Sequence, residues 1–483
     1  MTTPSTPVET AFALLGEGRL VDAQNVMTRE LEAVTQRHGA GSPEWASVQC
    51  DLGNVLINGD QLDRAIECFR QAVSAAPRDH ESHKDQLTYL MNLGMALRMA
   101  GRHDEAETEL RRGLEERQAF YGREHPGYAF GLQPLADLLL ERGDLPAARQ
   151  VIEEAVQNLW SNSHAHVADA IALRAAIVDA AGSPEPLFAG LDQLPDAVVD
   201  RLARGVTGRR PVSGRVLTEL VAALEARLGA DHQATLNGWS ALANHGRDTG
   251  DQAGRVGAIE RVLASYDRQG RAEEGLMAAL GLAMAQDDAG EAEAGLRTYA
   301  SAYERAERIG RPELQSQVLR NWGLALKEAG RPVPAEQRLT EALTQARRGA
   351  DHEMAGRAGV ALGLFLQHEN RLPEARTVLE ECLPAMDPLH PDALIGRSHL
   401  GAVLDGRTCG CGDLPATTAA AFREFVIHQL PADLLARLDV TVEDGDFRIN
   451  VELQREPAQA ELEQLNNVME AAYAEFRRRL VRS

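Results

Sequence analysis

The stretch from Val48 to Pro77 limits what this chain can fold into more than any other. Leu52-Gly53 is followed by Leu56, then by Ala65, Phe69 and Ala72, and Pro77 closes the run. That spacing puts Leu52 and Leu56 on one face of a first helix, and Ala65, Phe69 and Ala72 on one face of a second. Gly59-Asp60 marks the turn between them. Gly53 and Ala65 are small where two helices must approach closely. A single hairpin of this size cannot bury its own apolar face, so further hairpins must stack on it.

The chain contains them. The small residue of the first helix recurs at Gly53, Gly94, Ala136 and Ala175, and again at Ala243, Ala283, Gly323, Gly363 and Gly401. That of the second helix recurs at Ala65, Ala106, Ala148, Gly295, Ala335 and Ala375. Successive first-helix steps run from 38 to 42 residues, apart from the jump between Ala175 and Ala243. Several first helices are preceded by a Gly-x-acid-His phrase: Gly122 to His125, Gly229 to His232 and Gly349 to His352. Gly39 to Pro43 and Leu389-His390-Pro391 are looser versions. In such a phrase Gly ends one helix, the acid caps the next, and a following Pro suits the first turn.

Together these residues resemble the tetratricopeptide repeat, in the roughly 42-residue variant of kinesin light chains and many bacterial scaffold proteins. The resemblance covers about residues 8 to 405. It implies an all-α superhelix, a solenoid whose first helices line a groove for a peptide or protein segment.

Net charge is −22, and Lys84 and Lys327 are the only lysines. Nucleic-acid binding calls for a basic face, so no nucleic-acid partner is expected. No charged start with an apolar core opens the chain, and no apolar run of about 18 residues occurs, so neither a secretory signal nor a membrane span is expected. Five sparse cysteines fit a reducing cytoplasm better than a disulfide framework. The preference for Arg over Lys reads as a GC-rich bacterial genome.

The expected organisation follows. Residues 1–7 form a disordered N-terminus, 8–181 a first solenoid half, 182–215 an irregular linker and 216–404 a second half. The linker expectation rests on Gly182 to Pro186 and Gly205 to Pro211, with a short helix near 195–204; Arg201, Arg204, Arg209, Arg210 and Arg215 make it the most basic stretch. Residues 405–483 form a small α+β unit, with helices over 416–429 and 457–481. Its β-hairpin, 439–454, is predicted from alternating Val440, Val442, Phe447, Ile449, Val451 and Leu453 around Asp444-Gly445.

No phosphate-binding loop, dinucleotide fingerprint, His-Glu-x-x-His or Gly-x-Ser-x-Gly is present, so no enzyme chemistry is expected. The one local motif is Cys409-Gly-Cys411, whose two thiols could share a zinc ion or form a reducible disulfide. Cys382, His390 and His399 are the nearest further ligands in sequence. A metal- or thiol-dependent activity there is one alternative function. Against it stands a tight Gly-containing loop with free thiols.

The binding expectation rests on the inward positions of the first helices. In the first half these include Asn54, Asn92 and Arg98. Chaperone-binding tetratricopeptide domains use two Asn and three basic residues as a carboxylate clamp; Asn54 and Asn92 match its Asn positions, while Cys50, Phe130 and Pro134 occupy its basic ones, which argues against that clamp. In the second half Arg320 and Lys327 lie seven residues apart on one face, with Asn321 beside Arg320 and Arg357 on the next repeat. A basic groove in an acidic protein would focus an acidic peptide segment. The competing reading pairs these cations with acids of adjacent repeats. The second alternative function is a peptide-responsive regulator without a DNA-binding domain of its own.

Overall fold

The computed structural model of the chain describes residues 6–59, 61–75, 83–208, 212–387 and 390–404, and a scattered subset of 419–473. The chain divides into two compact units, 1–245 and 246–483.

The first unit is a run of antiparallel helices. They are α1 (Pro7–Gly16), α2 (Leu20–His38), α3 (Pro43–Asn58), α4 (Leu62–Ala75), α5 (His83–Met99), α6 (His103–Tyr121), α7 (Pro126–Glu141), α8 (Leu145–Ser161), α9 (Val167–Ala180), α10 (Asp196–Gly208), α11 (Gly214–Leu228) and α12 (Gln233–Thr249), the last running across the boundary. Each helix packs on its sequence neighbour from α1 through α11, and the first helices α1, α3, α5, α7 and α9 also touch in succession. Small residues set the closeness of each pair. A Cβ on Gly53 would stand 2.7 Å from the Phe69 ring, and one on Gly94 would stand 2.5 Å from Leu110.

The phrase before each first helix works differently from the expectation. At three copies the cap is the histidine: the backbone N–H of Gly127, Ala234 and Asp392 donates to Nδ1 of His125, His232 and His390, at 2.9, 3.2 and 3.1 Å. Imidazole there supplies the acceptor that Ser or Asp normally gives. At Asp351 the acid caps, accepting from Met354 N–H at 2.9 Å. Arg117 of α6 is the main buried cation of the unit. It donates to the backbone carbonyls of Gly127 (2.8 Å) and Leu87 (3.1 Å), tying α7 to α5.

Two boundaries differ from the sequence reading. The N-terminal order starts inside 1–7: Thr6 forms a capping box with Glu9, and Pro7 takes the first helical position. Segment 182–215 is no irregular linker. It contains α10, and Leu187, Phe188, Leu191 and Leu194 are buried in the same core as the repeats before it. Gly205, read as a breaker, lies inside α10, where an added Cβ would make ordinary contact with Ala172 at 3.6 Å. The division between compact units falls thirty residues beyond that segment, at 245/246. Arg209 and Arg210 lie outside the described residues.

The second unit has a stricter metre. It comprises α13 (Gln252–Gln269), α14 (Ala272–Asp288), α15 (Ala292–Ile309), α16 (Pro312–Glu328), α17 (Pro332–Arg348), α18 (His352–His368), α19 (Leu372–Cys382) and α20 (Pro391–Leu404). Positive φ recurs every twenty residues, at Gly250, Gly270, Gly290, Gly310 and Gly330, then at Ala350 and Asn370. The left-handed turn closes each helix there, which favours a residue without Cβ. Gly323 and Gly363 repeat the close approach, 2.7 Å to Leu339 and 2.6 Å to Leu379 for an added Cβ.

Strands β1 (Leu435–Glu443) and β2 (Asp446–Leu453) pair antiparallel, with Leu438 opposite Val451 and Val440 opposite Ile449. The hairpin starts four residues before the predicted 439. Leu438 and Phe447 share a core with Phe422, Val426, Leu465 and Val468 and with Leu394 of α20. The α+β unit therefore packs on the last first-helix. Much of the expected helices 416–429 and 457–481 lies outside the described residues.

Candidate functional site

In the first unit a cleft of about 770 Å³ opens along the first helices. Its floor is aliphatic: Leu140 of α7, Ala172, Ala176 and Ala180 of α9, and Val206, Val212 and Val216 around α10 and α11. Its polar lining is Arg98, Asp137, Glu141, Asp179, Ser213 and His245. Ala172, Ala176 and Ala180 fall four residues apart on one face of α9, and their small side chains keep the floor low. Arg98, an expected groove residue, is at this cleft and is ion-paired with Glu141 of the next first-helix. Asp179 faces Arg215 at 3.7 Å.

Asn54 and Asn92 are brought together nearby on α3 and α5. The Asn92 amide donates to Asn54 Oδ1 at 3.4 Å and to Cys50 Sγ at 3.3 Å. Both asparagines are half-buried, and burial pushes the Cys50 thiol up to about 12. They hold two first helices in register. The basic stretch of 182–215 is likewise engaged within the fold: Arg201 grips Asp169 at 2.7 Å, and Arg215 donates to the carbonyls of Ser183 and Glu185.

In the second unit α16, α18 and α20 lie side by side. Arg357 of α18 reaches Asp392 of α20 at 2.9 Å, and Arg320 of α16 stands 3.6 Å from the same carboxylate. Two guanidiniums thus share one acid. Arg320 is also bonded to Asn321 Oδ1 at 3.3 Å, and its side chain is only 14% exposed. Burial works against its charge first, the Arg357 guanidinium second, and Asp392 offsets part of both. Lys327 lies near His399, a buried imidazole held by Gln367 at 2.7 Å. Burial, and then the Lys327 ammonium, keep His399 below the usual histidine range. Sequence reasoning found the cations and missed Asp392, because an acid in a helix's first turn reads as a dipole partner rather than as the counter-ion of two other repeats.

Cys409 and Cys411 lie outside the described residues. Of the further ligands named with them, Cys382 Sγ is packed against Gly359, His390 caps α20 and His399 bonds Gln367. Among the described residues no three His, Cys, Asp or Glu side chains converge as a metal site. No described helix is long and apolar enough to cross a membrane.

Three segments of the chain match the tetratricopeptide repeat: 46–79, 85–159 and 356–381. No curated protein matches the sequence. Among solved structures, one from Podosopora anserina named for the nearly identical TPR-like repeats of a kinesin light chain is 19% identical, covering 47% of this chain and 98% of that one at a TM-score of 0.33. BtubC (BKLC) from P. vanneervenii is 16% identical, covering 52% and 92% at 0.31. The apo form of RapI is 9% identical, covering 59% and 98% at 0.35. Likenesses this distant add no argument about function. The helical hairpins, their near-forty-residue step and the three matched segments show that this chain carries tetratricopeptide repeats.

Proposed function

We propose that the chain is a scaffold or adaptor that binds a segment of a partner protein along its first helices, and that it catalyses no reaction. The observation that carries this reading is the cleft of the first unit, about 770 Å³ and built from successive first helices with an aliphatic floor and a polar lining. A preformed groove on stacked helices binds an extended segment at little ordering cost to the receptor. On the second unit, Arg320, Lys327 and Arg357 favour an acidic partner, since two guanidiniums share one carboxylate. The Arg-rich, Cys-poor composition supports a bacterial cytoplasm as the setting.

Selection from a random peptide library on the immobilised full chain tests the reading. Ala176 lies half-buried in the cleft floor, so Ala176→Trp fills the space with an indole. The expected result is a consensus peptide whose affinity falls at least tenfold on Ala176→Trp. No consensus, or one indifferent to that substitution, overturns the assignment to this cleft.

A further inference from the structure

Among the described residues the sheet of the second unit has two strands, β1 and β2, so the far edge of each pairs with no strand. Glu443 and Asp446 are partners across a two-residue connection, and such a closing pair exchanges both backbone bonds. From there bonded and non-bonded pairs alternate, so the even-numbered residues of β2 point their N–H and C=O toward β1. Gln454 keeps that parity, its N–H donating to the Leu434 carbonyl at 2.9 Å. Phe447, Ile449, Val451 and Leu453 aim theirs at the open edge. The two edges are not alike. β1 has an extra residue, Ala436, between the pairs of Leu435 and Arg437, and Arg437 is tied to Asp439 at 2.7 Å; a bulge and engaged charges blunt an edge. Every residue of β2 has its partner, with none left over.

We propose that β2 pairs antiparallel with β2 of a second copy about a twofold axis at Asn450, joining two hairpins into one four-stranded sheet. The sequence of β2 selects this occupant. Edge-facing residues must stand opposite edge-facing residues, so the axis passes through a residue and not between two. An axis at Arg448 sets that cation against itself. One at Ile449 sets Glu452 against Asp446, and one at Val451 sets Glu452 against Asn450. About Asn450, Arg448 meets Glu452 of the other copy, and symmetry makes that pair twice. All three of these side chains are exposed. The opposite face closes too, with Ile449 against Val451 and Phe447 against Leu453. These four belong to the core that holds Phe422 and Val426, yet Ile449, Val451 and Leu453 are only half-buried in one copy. Pairing extends that apolar face and covers it further. A lone pair of strands is marginal by itself, and strand addition at an open edge is a general mode of association. Each copy carries a net charge of −22; repulsion between distant charges is screened beyond about 8 Å at physiological salt, and the cross-strand pairs lie well inside that distance.

Analytical ultracentrifugation of the full chain over a concentration series reads the assembly against the 52.4 kDa of one copy. Arg448→Glu and Glu452→Arg each set like charges opposite one another at both pairs. Circular dichroism and melting first confirm that each variant folds as the parent does. The expected result is a dimer of the parent, with dissociation at least about tenfold easier in either single variant. Mixing the two single variants restores the dimer, because each supplies the charge the other needs; the double variant, Arg448→Glu with Glu452→Arg, restores it as well. A merely structural defect in each variant is not cured by mixing. A parent that stays monomeric, single variants that dimerise like the parent, or a mixture no tighter than its components overturns the inference. Dimerisation lost on Arg437→Glu but kept on Arg448→Glu assigns the contact to β1 and overturns it too. A monomeric parent that captures library peptides, and loses them on Arg448→Glu, gives the edge to a partner's strand and equally overturns it.

Discussion

Gly53 and Gly281 occupy first helices, yet the same substitution should move stability in different directions. Replacing Gly by Ala in a helix interior favours the helix by about 1 kcal/mol. At Gly281 nothing stands within 4 Å of the new methyl, so that gain is expected nearly whole. At Gly53 the methyl would lie 2.7 Å from two carbons of the Phe69 ring, against a comfortable separation of about 3.5–4.0 Å. Phe69 is fully buried and rigid, so α3 and α4 must part. Overpacking of this kind costs about 1–3 kcal/mol. The two variants should therefore differ by about 1–3 kcal/mol, with Gly281→Ala more stable than the parent and Gly53→Ala at or below it. Urea unfolding followed by circular dichroism reads the difference, each variant against the parent, because stacked repeats need not unfold in one step. Adding Phe69→Leu to Gly53→Ala should return stability beyond additivity by more than about 0.5 kcal/mol. If Gly53→Ala stabilises as much as Gly281→Ala, or the cycle shows no coupling, close approach at the signature glycine is not what sets the hairpin.

Three further outcomes follow from particular residues. Ala350 holds a left-handed turn with φ of 54° where five preceding turns use Gly; Ala350→Gly should raise stability by about 1 kcal/mol, measured as a higher melting temperature. Burial lifts the Asp287 carboxyl to about 6, with the Tyr299 hydroxyl bond pulling it down and the Glu328 and Asp288 charges adding to the rise. The folded state then binds that proton more tightly than the unfolded one, so stability falls as pH rises from about 4 to 6; since the side chain is only half-buried, Asp287→Asn should flatten this fall and add no more than about 1 kcal/mol at pH 7.5. Arg117 keeps its stem but loses two buried bonds in Arg117→Met, at a cost of about 1–3 kcal/mol, while Arg117→Glu sets an anion against two carbonyls and should unfold the first unit, read by limited proteolysis.

The division between sequence and structure runs along the range of the interaction. Helical spacing, small residues at close approaches and the forty-residue step are local and periodic, so Gly53, Ala65, Phe69 and their copies reveal the hairpins and the stack by themselves. The strand pair was legible for the same reason, in the alternation around Asp444-Gly445. Segment 182–215 was not. Its Gly and Pro suggested a break, and only the packing of Leu187, Phe188 and Leu191 into a core built from distant repeats makes it part of the first unit. The histidine caps needed geometry too, since the phrase contains both an acid and an imidazole and backbone direction decides which accepts. Most of all, the sequence offered Arg320 and Arg357 as groove candidates but could not say what balances them. Asp392 reaches both only because helices forty and eighty residues apart are laid side by side. Periodicity is written in the chain; which charges meet across it depends on how the repeats stack.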